Sequence, residues 1–259
     1  MARTYLEKCI NFKNVKIMNK SFKLILCVSL IGALTQSCNK GGPWGIRGTG
    51  TNVTETKDIT GFDKLDLSID ADIFYTQDSI YKVEISAQQN ILAVLKTEVN
   101  RSTLSFDYRR NVWDHNKVKI TIHSPNLNEL NISGSGDITV QNSLTAQTLD
   151  LNISGSGNVY LPSLTAQTLK ATISGNGDVK ISGGSLTSES FHVSGSGTID
   201  AENIQTESCT LKVSGSGDIT VNVTESLDVH ISGSGDVRYR GKPSVTSDIS
   251  GSGRLIHLD

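Results

Sequence analysis

The residues best suited to chemistry in this chain are the acids that follow a repeated Ser-Gly-Ser-Gly motif. Seven copies of the motif, one of them Ser-Gly-Asn-Gly, are followed at one equivalent position by Asp137, Asn158, Asp178, Thr198, Asp218, Asp236 and Arg254. If the copies lie on stacked strands, neighbouring residues of this line are about 4.8 Å apart. Asp218 and Asp236 would then be close enough to act as the two carboxylates of a glycoside hydrolase.

Two kinds of ligand site contain glycines as this motif does, but in a different context. A phosphate-binding loop needs a helix after its glycines, whereas a strand pattern comes after each copy here. A calcium-binding β-roll has a period of about nine residues and separates its aspartate from the second glycine. An aspartate after glycine is also an ordinary turn residue that bonds nearby backbone N–H groups, and Asn and Thr can replace it. The sequence therefore favours a bend, and it predicts no catalytic residue, no cofactor site and no metal ligand at these positions.

The spacing of the motif predicts the fold. The Ile or Val before each copy recurs with a period of about 20 residues that becomes slightly shorter in the last two copies, and the heptapeptide SLTAQTL occurs at both 143–149 and 163–169. Apolar residues alternate with polar ones on both sides of the glycines, as in strands with one buried face. One such repeat cannot bury its apolar face alone. The predicted fold is therefore all-β: a parallel β-solenoid, or β-helix, with turns of about 20 residues.

The sequence divides this fold into a capping region at 52–125 and the solenoid repeats at 126–259. LDLSIDADIFY, at 65–75, matches the strand pattern of the repeats without their glycines and predicts a degenerate first turn. Further alternating segments and a short helix within 88–99 predict a small sheet that caps the N-terminal end. Cys209 stands in a column of leucines and is expected to be buried. If the corners require a positive φ, Gly215 cannot be replaced by valine without loss of stability.

The N-terminal segment has the pattern of an export signal. Lys20 and Lys23 precede the apolar run 24–34, which is too short to span a bilayer, and translation could begin at Met1 or Met18. The run ends in LTQSC, which resembles a lipoprotein signal box except that its leucine stands one place early. We therefore predict a signal peptide at 1–37, lipidation of Cys38, and an anchor with a flexible Gly-rich spacer at 38–51.

Three segments together resemble a known bacterial family: ITGFDKLDLS at 59–68, QQNILAVLKTEV at 88–99 and KVKITIHSPNLNELNISGSGDITV at 117–140. With the repeated SGSGD turns after them, they are similar to the auto-transporter adhesins with a head GIN domain. The likeness covers about residues 52–259, and the first turn departs from it because residues 67–72 replace the usual Ser-Gly-Ser-Gly. The resemblance implies an exported, often lipid-anchored β-solenoid with no established reaction.

Composition and pattern narrow the function further. A net charge of −2 gives no electrostatic footprint for nucleic acid or for an anionic membrane surface. The predicted function is that of a non-catalytic envelope lipoprotein, on the periplasmic or surface face of the outer membrane, that binds a glycan or another envelope component. A carbohydrate-active β-helix enzyme, either a polysaccharide lyase or a glycoside hydrolase, is the alternative. End-to-end homo-oligomers through the C-terminal turn are a further expectation.

The candidate binding residues stand where outward positions vary between repeats. Tyr160, Lys180, Asp200 and Arg238 occupy equivalent places after the corner and present different chemistry on one predicted face. Trp113, in the aromatic and basic loop 109–116, is a separate candidate contact, and a mobile surface loop without a binding role is the alternative that the sequence favours there. Varied side chains on a regular scaffold are typical of an extended recognition surface.

Overall fold

The computed structural model describes residues 45–259, so the predicted signal peptide, Cys38 and residues 39–44 of the spacer lie outside the described residues. Within that range the chain forms strands and one short helix, α1 (Gln89–Leu92). The strands are β1 (Ile46–Arg47), β2 (Asn52–Lys57), β3 (Lys64–Leu67), β4 (Ala71–Gln77), β5 (Lys82–Gln88), β6 (Leu95–Asn100), β7 (Thr103–Tyr108), β8 (Val112–Asp114), β9 (Val118–Ser124), β10 (Glu129–Ile132), β11 (Ile138–Val140), β12 (Leu144–Ile153), β13 (Val159–Leu161), β14 (Leu164–Ile173), β15 (Val179–Ile181), β16 (Gly184–Val193), β17 (Ile199–Val213), β18 (Ile219–Ile231), β19 (Val237–Arg240), β20 (Ser244–Ile249) and β21 (Leu255–His257).

The strands stack into a parallel β-solenoid, as the repeat period predicts. We call the two faces that meet at the glycine corner the pre-corner face and the post-corner face. The pre-corner face runs in the order β7, β3, β10, β12, β14, β16, β17, β18, β20. The post-corner face runs in the order β9, β4, β11, β13, β15, β17, β18, β19, β21. Every pairing in both faces is parallel and joins equivalent positions of successive turns.

Alternation along each strand builds the core from continuous columns of apolar side chains. One inward column of the pre-corner face consists of Leu104, Leu65, Leu130, Leu151, Ala171, Phe191, Leu211, Val229 and Ser247. All of these except Ser247 are at most 1% exposed. Cys209 is likewise buried and carries a free thiol, which confirms its expected packing role. Because each side chain contacts the turns below and above, the core is one continuous stack rather than a set of separate units.

The corner glycines are required for close approach, and the expectation of a positive φ at these corners was wrong. Among residues 45–259, the glycines with positive φ are Gly45, Gly50, Gly61, Gly184 and Gly241, none of which belongs to a Ser-Gly-Ser-Gly corner. A Cβ built on Gly215 would instead overlap the backbone oxygen of Gly195 in the preceding turn. That oxygen accepts a hydrogen bond from the Ser216 N–H at 2.9 Å. The corner backbones therefore stack too closely for a side chain.

The repeat becomes shorter between β17 and β18. Ile199 pairs with Ile219 before the return segment and Val213 pairs with Ile231 after it, so the offset between paired positions decreases by two. The register changes within the return segment, where positions 202–204 and 207 of β17 have no partner and positions 224–225 of β18 take up part of the difference. The two faces that flank the corner keep their alignment because the chain is shortened away from them.

The cap contains the predicted small sheet and short helix, and it also extends the solenoid. β3 and β4 form the degenerate turn, but β7 and β9 pair with them in parallel on the side opposite to β10 and β11. The first turn in the sequence is therefore the second turn of the stack. Antiparallel pairings of β6 with β7, β5 with β9 and β2 with β5 complete this end. A separate two-stranded sheet joins β1 and β8.

Candidate binding surface

The four residues predicted from the repeats do form one column on the post-corner face. Tyr160 pairs in register with Lys180, and Lys180 pairs with Asp200. Thr220 then separates Asp200 from Arg238. Tyr160 is 39% exposed, and the Lys180 ammonium lies 3.0 Å from the Asp200 carboxylate. The hydrogen bond to Asp200 raises the pKa of Lys180 above its usual value. Much of the charge in this column is thus neutralised within the column itself.

Arg238 is tied to the corner acids of its neighbourhood. Its guanidinium donates to Asp218 at 2.8 Å and to Asp236 at 3.4 Å. Asp236 also accepts from Arg254 at 2.6 Å, and this hydrogen bond is the main cause of the lowered pKa of the Asp236 carboxyl. Two arginines and two aspartates therefore form one network across the last three turns. Arg238 is only partly available to a ligand.

The polar residues that follow the corners are joined from turn to turn by a ladder of hydrogen bonds. The side-chain oxygen of one residue accepts the backbone N–H of its counterpart in the next turn: Asp137 from Asn158 at 2.8 Å, Asn158 from Asp178 at 2.9 Å, Asp178 from Thr198 at 2.7 Å, Asp218 from Asp236 at 2.7 Å and Asp236 from Arg254 at 3.0 Å. Asn can do this as well as Asp because both offer an acceptor oxygen at the same place. The turn role predicted for these residues is real, with the partner in the following turn.

The arrangement of Asp218 and Asp236 differs from that of a glycosidase pair. Such an enzyme needs one carboxyl group whose pKa is raised so that it can donate a proton. Asp236 instead has a lowered pKa because Arg254 holds its ionised form, and Asp218 is bonded to Arg238. Both acids are committed to contacts within the scaffold. In the described part of the chain, no group of three or more His, Cys, Asp or Glu residues is placed to hold a metal ion.

A polar groove on the pre-corner face was missed by the sequence reasoning. Its volume is about 250 Å³, and it is lined by Asp66, Ser68, Asn131, Ile132, Ser133, Asn152, Ile153, Ser154, Thr172 and Ser174. The Asn152 side chain donates to the Asn131 oxygen at 3.0 Å, and Asn131 donates to Glu129 at 2.9 Å. The sequence carries only a partial signal, because the residue before each corner Ile or Val is polar but nothing in it shows that these side chains line a groove.

The same outward column becomes charged further along the stack. After Asn152 and Thr172 it continues through His192, Lys212, His230 and Asp248. The column therefore changes from uncharged amides and hydroxyls to ionisable groups over successive turns. A ligand that lay along it would meet amides and hydroxyls between Asp66 at the cap end and the ionisable groups of the later turns.

A buried acid lies beneath a second polar groove of the pre-corner face. Glu189 is 3% exposed, between Leu169 and Cys209 in an inward column, and neither of its carboxylate oxygens has a hydrogen-bond partner among residues 45–259. Burial raises the pKa of Glu189 to about 8. The groove above it, of about 340 Å³, is lined largely by serines and threonines. Glu189 is therefore a protonated core residue at neutral pH.

Trp113 does not join the column of Tyr160. It lies on β8, is 56% exposed, and has the guanidinium of Arg47 at 5.5 Å from its ring centroid. Arg47 also donates to Asp114 at 2.8 Å. The structure thus separates the sequence candidates into a solenoid surface, which contains Tyr160, and a cap surface, which contains Trp113.

The chain is similar to a known family and to several solved structures. The family model described as "Putative auto-transporter adhesin, head GIN domain" matches residues 61–243. A "putative adhesin" from Bacteroides fragilis is 33% identical, with a TM-score of 0.78, over 82% of this chain and 100% of that one. A "putative lipid binding protein" from Parabacteroides distasonis is 26% identical, with a TM-score of 0.69, over 83% of this chain and 99% of that one.

More distant likeness concerns the fold alone. A "putative adhesin" from Parabacteroides merdae is 20% identical, with a TM-score of 0.69, over 83% of this chain and 99% of that one. No curated protein matches the chain significantly. None of the helical structure within residues 45–259 is long and apolar enough to cross a membrane.

Proposed function

The chain belongs to the family of auto-transporter adhesins with a head GIN domain, and on that premise we propose that it is a lipid-anchored adhesin of the cell envelope. Family membership itself points to an adhesin-like protein of the cell surface or envelope. The finer proposal is that Cys38 carries the anchor and that the solenoid binds an extended polar ligand, a surface glycan or another envelope component, without cleaving it.

One observation carries the binding role: the inward and corner positions repeat from turn to turn, while the outward columns beside the corner vary. The column of Tyr160 and the column of Asn152 flank the same glycine corner and present tyrosine, lysine, amide, hydroxyl and carboxylate groups at strand spacing. Stacked repeats of this kind give extended surfaces whose chemistry can change without disturbing the core.

The polar groove is the better-placed part of this surface for a neutral glycan. Asn152 is exposed and Thr172 half-buried, and the groove that they line is open along the stack. Amides and hydroxyls can donate to and accept from sugar hydroxyl groups. The Tyr160 column adds an exposed aromatic ring, but its lysine and aspartate bond each other. We therefore place the ligand along the groove, with Tyr160 as a flanking contact.

Glycan arrays and pull-down from envelope extracts test the binding role. For a glycan that binds the parent chain, Asn152→Ala combined with Thr172→Val should weaken binding about tenfold or more, because two hydrogen bonds worth about 1 kcal/mol each are lost. Thr165→Val, an exposed threonine on the return segment, is the matched control and should bind normally. Equal binding by the double variant and the parent chain would refute the groove.

The same assay separates binding from turnover. Asp218→Asn with Asp236→Asn should preserve binding, because Asn keeps the acceptor of the corner ladder. The parent chain should leave the bound glycan uncut. A polysaccharide-cleaving activity that the folded double variant loses would favour an enzyme instead.

The anchor is tested by membrane fractionation of cells that express the full chain. Cys38→Ala should move the protein from the membrane to the soluble fraction, whereas Cys27→Ala, within the predicted signal segment for either start, should leave it attached. If the Cys38→Ala protein stays in the membrane fraction, the lipoprotein assignment is refuted.

A further inference from the structure

The cap surface around Trp113 lies where the chain enters the folded domain. The Ile46 N–H donates to the Asn111 oxygen at 2.8 Å, and the Gly48 N–H donates to the Asp114 oxygen at 2.7 Å. These bonds fasten β1, the first strand of the domain, directly to β8. Cys38 precedes Gly45 by about seven residues, which can span at most about 25 Å. Any anchor at Cys38 therefore keeps this surface close to the membrane.

The side chains exposed there have the chemistry of a membrane interface. Trp113 is 56% exposed, and tryptophan combines an apolar ring with an N–H donor that suits the headgroup region. Arg109 and Arg110, which precede Trp113 in the segment 109–116, are exposed and form no ion pair within the described residues. Arginine is well suited to phosphate groups, which it can bind through two parallel hydrogen bonds.

Arg109 also lines a small pocket. It has a volume of about 150 Å³ and is lined by Lys57, Ile59, Leu92, Leu95, Thr97 and Arg109. Leu92 and Leu95 give it an apolar floor, while Lys57 and Arg109 contribute positive charge. Lys57 is balanced by Glu55 at 2.7 Å, so Arg109 is the lining cation without an acidic partner among residues 45–259. Apolar surface beside free positive charge matches a phospholipid headgroup and the start of its acyl chain.

The loop that carries Trp113 is held in place before any partner arrives. The Tyr108 hydroxyl and the His115 Nε2 atom lie 3.3 Å apart, and the two rings meet edge to face at 5.9 Å. The Asn116 N–H donates to the Gln88 side chain at 2.9 Å. Arg47 stacks on the Trp113 ring from the opposite strand. Contacts that order a binding loop in advance reduce the entropy that binding costs.

From these observations we propose that Trp113, Arg109 and Arg110 form a membrane-docking surface that rests on a phosphate-bearing lipid bilayer and orients the solenoid relative to it. The inference rests on the proposed lipid anchor, because Trp113 and the arginines alone provide only a small contact. The anchor supplies attachment, and the docking surface sets which end of the stack faces the lipid. The outward columns of the later turns are thereby presented away from the membrane.

Tryptophan fluorescence tests the proposal on the full lipidated chain. The sequence has two tryptophans, so Trp44→Phe leaves Trp113 as the single reporter. The protein is reconstituted into vesicles of phosphatidylethanolamine and phosphatidylglycerol, with or without bromine on the acyl chains near the headgroup. We expect the Trp113 emission to shift to the blue, to lose intensity only with brominated lipid, and to resist quenching by aqueous iodide.

Arginine variants sharpen this test. Arg109→Gln with Arg110→Gln should reduce the bromolipid quenching of Trp113. Lys242→Gln, an exposed lysine of the C-terminal turns, is the matched control and should leave it unchanged. Equal quenching in all three proteins would overturn the role assigned to the arginines.

Flotation of the same vesicles distinguishes failure of the docking surface from failure of the anchor. If the protein floats but Trp113 stays open to iodide and insensitive to bromolipid, the docking surface is refuted and the anchor stands. If Trp113 is shielded from iodide without bromolipid quenching, another part of the protein or a second copy of it covers the ring and the membrane proposal is overturned. If the lipid-processed chain does not float, both proposals fail together.

Discussion

The two ends of the solenoid are built from the same repeat but differ in what covers them. At the N-terminal end Leu104 and Phe106 are fully buried, because β6 pairs with β7 and the rest of the cap packs against that turn. At the C-terminal end all six residues of β20 are exposed, and Val245 and Ile249 are 39% and 42% exposed in columns that are otherwise buried. The same apolar residue therefore contributes more to the free energy of unfolding in a turn that is covered on both sides than in a turn with one neighbour.

The strongest test of this difference compares Phe106→Ala with Ile249→Ala. The two residues occupy the same inward column at opposite ends of the stack. Removing the buried Phe106 ring should lower the free energy of unfolding by about 3 to 5 kcal/mol. Ile249→Ala should cost about 1 kcal/mol or less, since its side chain is already partly hydrated. Guanidinium denaturation measures both, and similar losses would mean that the C-terminal turn is covered in solution.

A turn in the middle of the stack should behave like the capped end. Leu211 is fully buried with neighbours on both sides, and Leu211→Ala should lower the free energy of unfolding by about 2 to 5 kcal/mol. Lys212→Ala, the adjacent outward residue, should change it by no more than about 0.5 kcal/mol. Comparable effects of the two substitutions in the same denaturation experiment would contradict the register of β17.

Because Glu189 is buried in the middle of the stack, it should make the free energy of unfolding depend on pH. Its pKa in the folded protein is about 8, above the ordinary value of 4.5, because burial disfavours the carboxylate. Below pH 4.5 the group is protonated in both states and has no effect. Between pH 4.5 and 8 the unfolded chain loses this proton first, so stability should fall by about 1.4 kcal/mol per pH unit as pH rises. Above pH 8 the loss is complete.

Variants at a central position and at the terminal position of one column isolate this pH effect. Glu189→Leu continues the leucine column and should remove this contribution to the pH dependence of the denaturation midpoint. Val245→Glu places an acid in the same column at the exposed turn, where water can hydrate it, and should add little pH dependence. A wild-type midpoint that stays constant from pH 5 to about 8, after allowance for other groups, would argue against a protonated Glu189.

The smallest expected effect concerns the hydrogen bonds that join Arg254 of the last turn to Asp236 of the preceding one. Arg254→Ala removes the hydrogen bonds of that guanidinium to Asp236. Because the Arg254 side chain is largely exposed and Asp236 keeps its contact with Arg238, the global denaturation midpoint should hardly move. Amide hydrogen exchange in β21 should nevertheless accelerate while exchange in β9 stays slow, since only the terminal turn loosens. Uniform acceleration through the stack would show that the turns do not open separately.

Sequence periodicity was sufficient to predict the stack and its inward columns, and strand alternation outside the repeats predicted the cap. The family was indicated separately, by the resemblance of three segments and the SGSGD turns to known sequences. The alternation of apolar and polar residues from Cys209 to Val213 identifies a buried face within one strand. The line from Asp137 to Arg254 could likewise be identified as a structural turn feature, because Asn and Thr replace Asp in it. The polar groove was missed, since a groove depends on how columns of several turns lie side by side.

The sequence by itself determined the repeat, because a period of about 20 residues with alternating apolar positions can bury its surface only by stacking. Tertiary structure alone decided the rest. It placed β7 and β9 beneath β3 and β4, since strand pairing ignores chain order, and it made Gly215 necessary through the oxygen of Gly195 in the preceding turn rather than through φ. It also put Trp113 beside the entry of the chain, because β1 pairs with β8, a strand far away in the sequence. Such contacts between distant segments leave no local pattern, so they become visible only when the chain is folded.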